Sequence, residues 1–201
     1  MRAFVAIDLP PSIQSDLAAL QQRLATVLAG AQPGRSVRWI PAANLHLTLR
    51  FLGETTPAQH AAVAARLRTL AKSSGAFEIT VSGLGCFPND HRPTVLWLGV
   101  ARGEERLAAL QRGVEQIAMD AGFVAEGRAW QPHLTLARIA RGAAAGAPAR
   151  IGEEFLRASQ SASLRAWSRK VAVDHIAFMQ SDLRPQGAVY TALDRFALAP
   201  A

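Results

Sequence analysis

The 201-residue sequence contains one cysteine, Cys86, only two lysines and no long apolar run. A lone cysteine excludes an internal disulfide framework, so the fold must depend on its hydrophobic core, and a reducing, cytoplasmic location is expected. No stretch approaches the roughly 18 consecutive apolar residues of a membrane span, and the N-terminal apolar segment meets Asp8 and two prolines too early for a signal peptide. We therefore expect neither export nor a membrane partner.

Composition leaves a globular protein with an excess of positive charge. Half of the residues are apolar, and this composition excludes a disordered chain. A domain of this length buries roughly 70% of its unfolded surface. Twenty arginines and two lysines oppose 15 acidic residues, which gives a net charge of +7. This charge favours an anionic partner such as a nucleic acid or a phosphorylated small molecule. Genomic base composition also produces sequences rich in arginine and alanine, so the charge alone decides nothing.

Apolar periodicity predicts an α+β fold. Helices are expected over residues 13–27, 57–71, 107–117 and 152–158, the second of them capped by Thr56 and Gln59. Extended segments are expected over residues 3–8, 37–40, 45–52, 77–84, 94–100, 131–139, 163–168, 171–180 and 188–198, with a turn at 185–187. Strand and helix follow in a similar order in both halves. We therefore predict two pseudo-twofold-related lobes of largely antiparallel sheet with outer helices, forming a single bilobal domain over residues 1–201.

The tetrapeptide His-Leu-Thr-Leu occurs twice, at residues 46–49 and 133–136, in a chain with only five histidines. In a strand, the histidine and threonine of each copy share one face, and the two leucines share the other. The leucines can then enter the core while the polar side chains of both lobes line one cleft. Shared ancestry of the halves and structural histidines remain the alternative explanation.

Paired imidazoles with neighbouring hydroxyls suit in-line displacement at phosphorus. One neutral histidine takes a proton from water while the other, protonated, gives a proton to the leaving oxygen, so His46 and His133 are the candidate catalytic residues. Thr48 and Thr135 are candidates to hold phosphate oxygens, although threonine is also simply common in strands. Cysteine and histidine positions show no zinc spacing, and no metal is predicted.

An arginine is expected to balance the charge that grows on the phosphate. Arg138 lies five residues after His133, an odd spacing, so it needs a bulge or the end of the strand to reach the cleft. Arg50 has even spacing from His46 and is expected on the same face, in a solvated or ion-paired role. Phe51, the counterpart of Arg138, is expected to pack in the core rather than stack on a base.

These motifs resemble the paired H-x-T-x motifs of the 2H phosphoesterase superfamily and, more narrowly, the bacterial and archaeal RNA 2′,3′-cyclic phosphodiesterases, formerly called 2′-5′ RNA ligases. Further similarity extends over nearly the whole chain, at Arg2–Ile7, Trp39, Asn44–Gly53, Gly85–Pro88, Leu96, Trp97, Pro132–Arg138, Ser181–Leu183, Gly187 and Tyr190.

The resemblance implies a groove between the lobes, no cofactor, and opening of a terminal 2′,3′-cyclic phosphate to a 2′-phosphomonoester. It implies that His46 is the proton donor and His133 the acceptor, with Thr48, Thr135 and Arg138 binding the substrate. The expected partners are RNA with 2′,3′-cyclic phosphate ends, including tRNA fragments, or cyclic nucleotides, and a monomer is expected. Three alternatives stay open: 2′-5′ RNA ligation, hydrolysis of a small cyclic phosphate at the same site, and an RNA-end binding protein without turnover.

Overall fold

The computed structural model describes residues 1–31, 36–184 and 187–200. Its elements in chain order are β1 (Arg2–Asp8), α1 (Pro11–Leu28), β2 (Val37–Trp39), β3 (His46–Glu54), α2 (Pro57–Ser73), β4 (Phe77–Phe87), β5 (Val95–Arg102), α3 (Glu104–Asp120), β6 (His133–Ile139), α4 (Ala147–Ser159), α5 (Ala162–Arg165), β7 (Ser168–Val173), β8 (His175–Arg184) and β9 (Gly187–Ala197).

Nine strands within the described ranges form one antiparallel sheet in the order β7-β4-β5-β6-β3-β1-β8-β9, and β2 pairs with β6 beside β3. The centre of the sheet is the junction of β3 and β6. A half-turn about this junction exchanges β1 with β5, β8 with β4 and β9 with β7. The bilobal α+β architecture with a repeated order of elements is therefore confirmed.

The helices cover one face of the sheet because each presents an apolar stripe. In α1 the stripe is Ile13, Leu17, Leu20, Leu24 and Leu28, all buried. Helix α1 packs on α4, and α2 packs on α3. Their buried side chains form one continuous core with the inward residues of the central strands. The opposite face of the sheet is left for the site.

The start of α2 is the capping box that the sequence predicts. The Thr56 hydroxyl accepts a hydrogen bond from the Gln59 backbone N–H at 3.2 Å, and the Thr56 backbone N–H donates to Gln59 Oε1 at 3.0 Å. Two N–H groups at the helix end are thereby satisfied. This fixes the point at which the chain leaves β3 and enters the helical layer.

Two predictions for the last third of the chain are wrong. Residues 163–168 do not form a strand, because α5 turns Leu164 into the core before β7 begins at Ser168. The segment 171–180 is not continuous either. It breaks at Asp174 because β7 pairs with β4 in one lobe and β8 pairs with β1 in the other, so the chain crosses between lobes there.

Of the turn predicted at 185–187, residues 185 and 186 lie outside the described residues. Among the helices that the structure describes, none is long and apolar enough to cross a membrane.

Candidate active site

The two His-Leu-Thr-Leu copies lie side by side at the sheet centre. Leu47 of β3 is paired with Leu134 of β6, and both leucines are fully buried on the helical side. The histidine and threonine of each copy are half-buried on the other face. Because the strands run antiparallel about this leucine pair, the two histidines are diagonal neighbours, and such residues lie roughly 7–8 Å apart. The predicted alternation is present in both strands.

His46 is held by a main-chain contact and two aromatic rings. Its Nδ1 donates to the Asn44 carbonyl oxygen at 2.8 Å, and its ring centroid lies 4.8 Å from that of Phe4 and 5.1 Å from that of Tyr190, which meets it edge-on. Burial lowers the pKa of His46, and the charges of His133 and Arg138 lower it further. The hydrogen bond to Asn44 and the Asp8 carboxylate oppose this lowering.

His133 repeats the arrangement in the other lobe. Its Nδ1 donates to the Gln131 carbonyl oxygen at 2.8 Å, and its ring centroid lies 5.0 Å from that of Phe87 and 6.4 Å from that of Trp97. Burial lowers the pKa of His133 and Arg138 adds to the lowering, against the hydrogen bond to Gln131.

The two main-chain contacts assign the same tautomer to both rings. A neutral imidazole carries one proton, so a ring whose Nδ1 donates to a carbonyl has an unprotonated Nε2. Among the described residues, neither Nε2 has a hydrogen-bond partner, so each can accept a proton, or donate one after protonation. The two lobes thus supply two equivalent Nε2 atoms on one face of the sheet.

Thr48 and Thr135 lie on this same face and are half-buried. Trp130 anchors the first of them, since its indole Nε1 donates to the Thr48 carbonyl at 3.1 Å. Neither threonine hydroxyl takes part in a hydrogen bond within the part of the chain that the structure describes. Both therefore remain available as donors to a phosphate.

Arg138 reaches the site face through a β-bulge. Residues Leu96 and Trp97 of β5 pair with Ala137 and Thr135, so β6 has one extra residue, and Leu136 and Ala137 are buried in succession. The extra residue therefore places the exposed Arg138 side chain on the same face as Thr135. Its charge acts on both histidines. The bulge that the odd spacing requires is present.

A buried side chain supports this bulge. Gln21 of α1 donates through Nε2 to the Leu136 carbonyl at 2.9 Å and to the Ile40 carbonyl at 2.8 Å. The Ile40 backbone N–H also donates to the Leu136 carbonyl at 2.9 Å. The backbone at the bulge is therefore satisfied from the core side, which keeps Arg138 in place.

The equivalent bulge in β3 overturns two expectations. Val5 and Ala6 of β1 pair with Arg50 and Thr48, so β3 also carries an extra residue. Arg50 is turned into the core rather than onto the face of His46. It is 7% exposed, and its Nε lies 2.6 Å from Glu115 Oε2, so its ion-paired role is confirmed.

Phe51 is the second of these corrections. The bulge places it on the site face, where it is 53% exposed, with its ring centroid 5.8 Å from that of Phe4. It does not pack in the core. The two lobes thus use the same bulge to present an aromatic ring in one and a guanidinium in the other.

Sequence reasoning missed Asp8, which pairs directly with His46 across β1 and β3. Arg195 donates to Asp8 Oδ2 through Nε at 2.9 Å and Nη2 at 2.7 Å, and His175 contacts Oδ1. The hydrogen bond from His175, followed by that from Arg195, holds the pKa of Asp8 well below its usual range, against the effect of burial. Asp8 is therefore a fixed negative charge beside His46. Strand pairing reveals this position, and the sequence alone does not.

The site has no corresponding carboxylate next to His133, whose partner in β5 is Gly99. Within the described ranges, no group of three or more histidine, cysteine or acidic side chains is arranged to hold a metal ion.

The chain matches known proteins over almost its whole length. The family described as LigT like Phosphoesterase matches residues 7–97 and again residues 98–190. An RNA 2′,3′-cyclic phosphodiesterase of Thermus thermophilus is 32% identical over 203 residues, covering 98% of this chain and 90% of the relative.

Solved structures agree with the family match. The crystal structure of TT0787 of Thermus thermophilus superimposes with a TM-score of 0.75 at 25% identity, covering 100% of this chain and 99% of that one. The crystal structure of E. coli LigT complexed with 3′-AMP gives a TM-score of 0.67 at 25% identity, covering 98% and 97%. The double family match agrees with the two-lobed order of strands and helices.

Proposed function

Because the chain belongs to the LigT-like phosphoesterase family, we propose that it is a metal-independent RNA 2′,3′-cyclic phosphodiesterase that opens the cyclic end to a 2′-phosphomonoester. The observation that carries the proposal is the pair of imidazoles, each with Nδ1 fixed by a main-chain carbonyl and Nε2 left for proton transfer. The name of the Thermus thermophilus relative and the 3′-AMP complex of E. coli LigT support the same substrate chemistry.

In the proposed mechanism, the Nε2 of His133 takes a proton from water as the water oxygen attacks phosphorus. The bond between phosphorus and O3′ breaks, and protonated His46 gives its Nε2 proton to O3′. The product keeps the phosphate on O2′. The two imidazoles supply both proton transfers, so the reaction requires no Lewis acid.

Three side chains stabilise the negative charge that develops on the phosphate. Thr48 and Thr135 donate from their hydroxyls to the non-bridging oxygens, because both project from the face that carries the histidines. Arg138 supplies the positive charge from the bulge in β6. All three act on groups that become more negative in the transition state, which is where such donors accelerate a reaction.

The assignment of acid and base follows the family resemblance, and a carboxylate beside His46 supports it. Asp8 lies beside His46, and Gly99 occupies the matching position beside His133. A carboxylate stabilises an imidazolium, so Asp8 favours the protonated form of His46. His46 is accordingly the acid and His133 the base.

The proposal also includes a monomer in the cytoplasm whose two lobes act as a single domain over residues 1–201. Both histidines come from one chain, so a second copy is not required for the chemistry. An RNA substrate and a free Cys86 are consistent with a reducing compartment.

The direct test is incubation with an oligoribonucleotide that ends in a 2′,3′-cyclic phosphate, in the presence of EDTA. We expect quantitative conversion to the 2′-phosphate, read by chromatography against 2′- and 3′-phosphate standards. Unchanged ends would refute hydrolysis, and loss of turnover in EDTA would refute the metal-independent mechanism. Joining of the RNA to a 5′-hydroxyl end would indicate ligation, and binding without product would indicate an RNA-end binding protein. Turnover confined to small cyclic phosphates would indicate a different substrate.

Replacing Asp8 with asparagine is expected to move one limb of the pH–rate profile. The profile should be bell-shaped, because one histidine must be neutral while the other is protonated. Asp8 raises the pKa of His46, so its removal lowers that pKa, and the acid is lost at a lower pH. The limb that reports His46 should therefore shift to lower pH while the limb that reports His133 stays in place.

Asp174→Asn is the matched control for Asp8→Asn. It removes a carboxylate that contacts the same His175 from the exposed side, without the pairing to His46. Both limbs of its profile should coincide with those of the wild type. A shift of both limbs in the Asp8 variant, or of neither, would contradict an effect of Asp8 on His46 alone.

A further inference from the structure

Two arginines face each other on the site side of the sheet. Arg38 of β2 is paired directly with Arg138 of β6, and both side chains are exposed. Their strand neighbours Val37, Ala137 and Ile139 are buried, so the two guanidinium groups project from the same face as the catalytic histidines.

This arginine pair has no acidic partner. Across residues 1–31, 36–184 and 187–200, neither side chain forms an ion pair or a hydrogen bond. By contrast, Arg50, Arg169 and Arg195 each contact a carboxylate within 3 Å. Like charges directly opposite on neighbouring strands destabilise the sheet, and a bound anion relieves that repulsion.

The positive charge of the side chains at the site exceeds the negative charge of one reacting phosphodiester. A cyclic phosphodiester carries a single negative charge, whereas Arg38, Arg138 and a protonated His46 together carry three positive charges. The Asp8 carboxylate is already paired with His175 and Arg195. Arg138 and His46 already serve the reacting phosphate in the proposed mechanism. Arg38 is therefore left for a second anionic group.

The position of Arg38 fits a second phosphate of the same chain. Arg138 lies five residues after His133, one of them taken up by the bulge, so it is about 13 Å along β6 at the usual rise per residue. Arg138 reaches the reacting phosphate by extending back toward Thr135. Arg38 is paired directly with Arg138 on the neighbouring strand, so it lies at the same level of the sheet and extends the basic surface across the strands.

We propose that Arg38 binds the phosphate that precedes the terminal cyclic phosphate, so that the protein favours an oligoribonucleotide end over a cyclic mononucleotide. This inference rests on the proposed function and names the substrate class within it. One charged contact, from Arg38 to the preceding phosphate, then distinguishes RNA ends from free cyclic nucleotides.

The test compares Arg38→Ala on two substrates, adenosine 2′,3′-cyclic phosphate and the adenosine dinucleotide with the same cyclic end. A charge-assisted contact to a phosphate predicts about a tenfold loss of kcat/KM on the dinucleotide. On the mononucleotide the change should stay within about twofold, because that substrate lacks the second phosphate. Arg112→Ala is the control, since it removes one exposed positive charge from the outer face of α3.

Binding provides a readout that does not depend on turnover. In the His46→Ala/His133→Ala background, the slope of log affinity against log salt for the dinucleotide should fall by about 0.7 when Arg38 is replaced, since single-stranded contacts contribute about that much each. Equal losses on both substrates, or no loss on either, would overturn the role of Arg38. If the wild type hydrolyses neither substrate, the proposed function fails, while the salt slope still reports on Arg38.

Discussion

Replacing either His46 or His133 with alanine is expected to lower turnover by at least about 10²-fold and as much as 10⁴-fold, the usual contribution of a general acid or base. Each imidazole is fixed through Nδ1 and offers a single Nε2 to the substrate. The methyl group of alanine can neither accept nor donate a proton. The measurement is kcat on a dinucleotide that ends in a 2′,3′-cyclic phosphate, and folding is checked by thermal unfolding.

His91→Ala is the control for loss of an imidazole, because this side chain is 87% exposed. Its turnover should match the wild type. The double variant, His46→Ala/His133→Ala, should lose far less than the product of the single losses, because both rings serve one displacement step. Losses that multiply fully would indicate that the histidines act in separate steps.

A substrate with sulfur in place of O3′ separates the two roles. A thiolate leaves without protonation, so the acid becomes dispensable while the base is still needed to activate water. His46→Ala should recover most of its activity on this substrate, and His133→Ala should not. The reverse pattern would exchange the acid and base assignments.

The repeated tetrapeptide predicts the centre of the fold because alternation in a strand depends only on local geometry. Two copies of His-Leu-Thr-Leu with leucine on the buried face require two similar strands, and Leu47 and Leu134 are indeed fully buried as a direct pair. The capping box at Thr56 is equally local. Such features follow from the sequence because their interacting residues are close in the chain.

Features that depend on pairing between distant strands were missed. No sequence pattern indicates that Asp8 pairs with His46, or that Arg38 pairs with Arg138. The burial of Arg50 and the exposure of Phe51 were also missed, since a bulge in β3 reverses the alternation after Leu49. In β6, the odd spacing of Arg138 signalled a bulge only because a function had already been assigned to that arginine.

The two lobes share a backbone and differ in chemistry. The same bulge presents Phe51 in one lobe and Arg138 in the other, and the residue paired with the histidine is Asp8 in one and Gly99 in the other. The two imidazoles therefore occupy matching backbone positions in unequal environments. That inequality is what an acid and a base in one site require.

Arg138→Ala is expected to lower kcat by about 10²- to 10³-fold, the usual cost of removing one preorganised donor from a developing negative charge. The side chain is exposed and forms no hydrogen bond or ion pair with other described residues, so the thermal midpoint should change little. Arg138→Lys keeps the charge but loses the fork of donors, and it should fall between alanine and wild type.

The pH–rate profile of Arg138→Ala distinguishes lost charge from a misplaced strand. Arg138 lowers the pKa of both histidines, so its removal raises both. Both limbs of the profile should therefore move to higher pH. In Arg138→Lys both limbs should stay near their wild-type positions, because a positive charge remains on the site face. A wild-type kcat and an unshifted pH–rate profile in Arg138→Ala would exclude a role of Arg138 in the reaction.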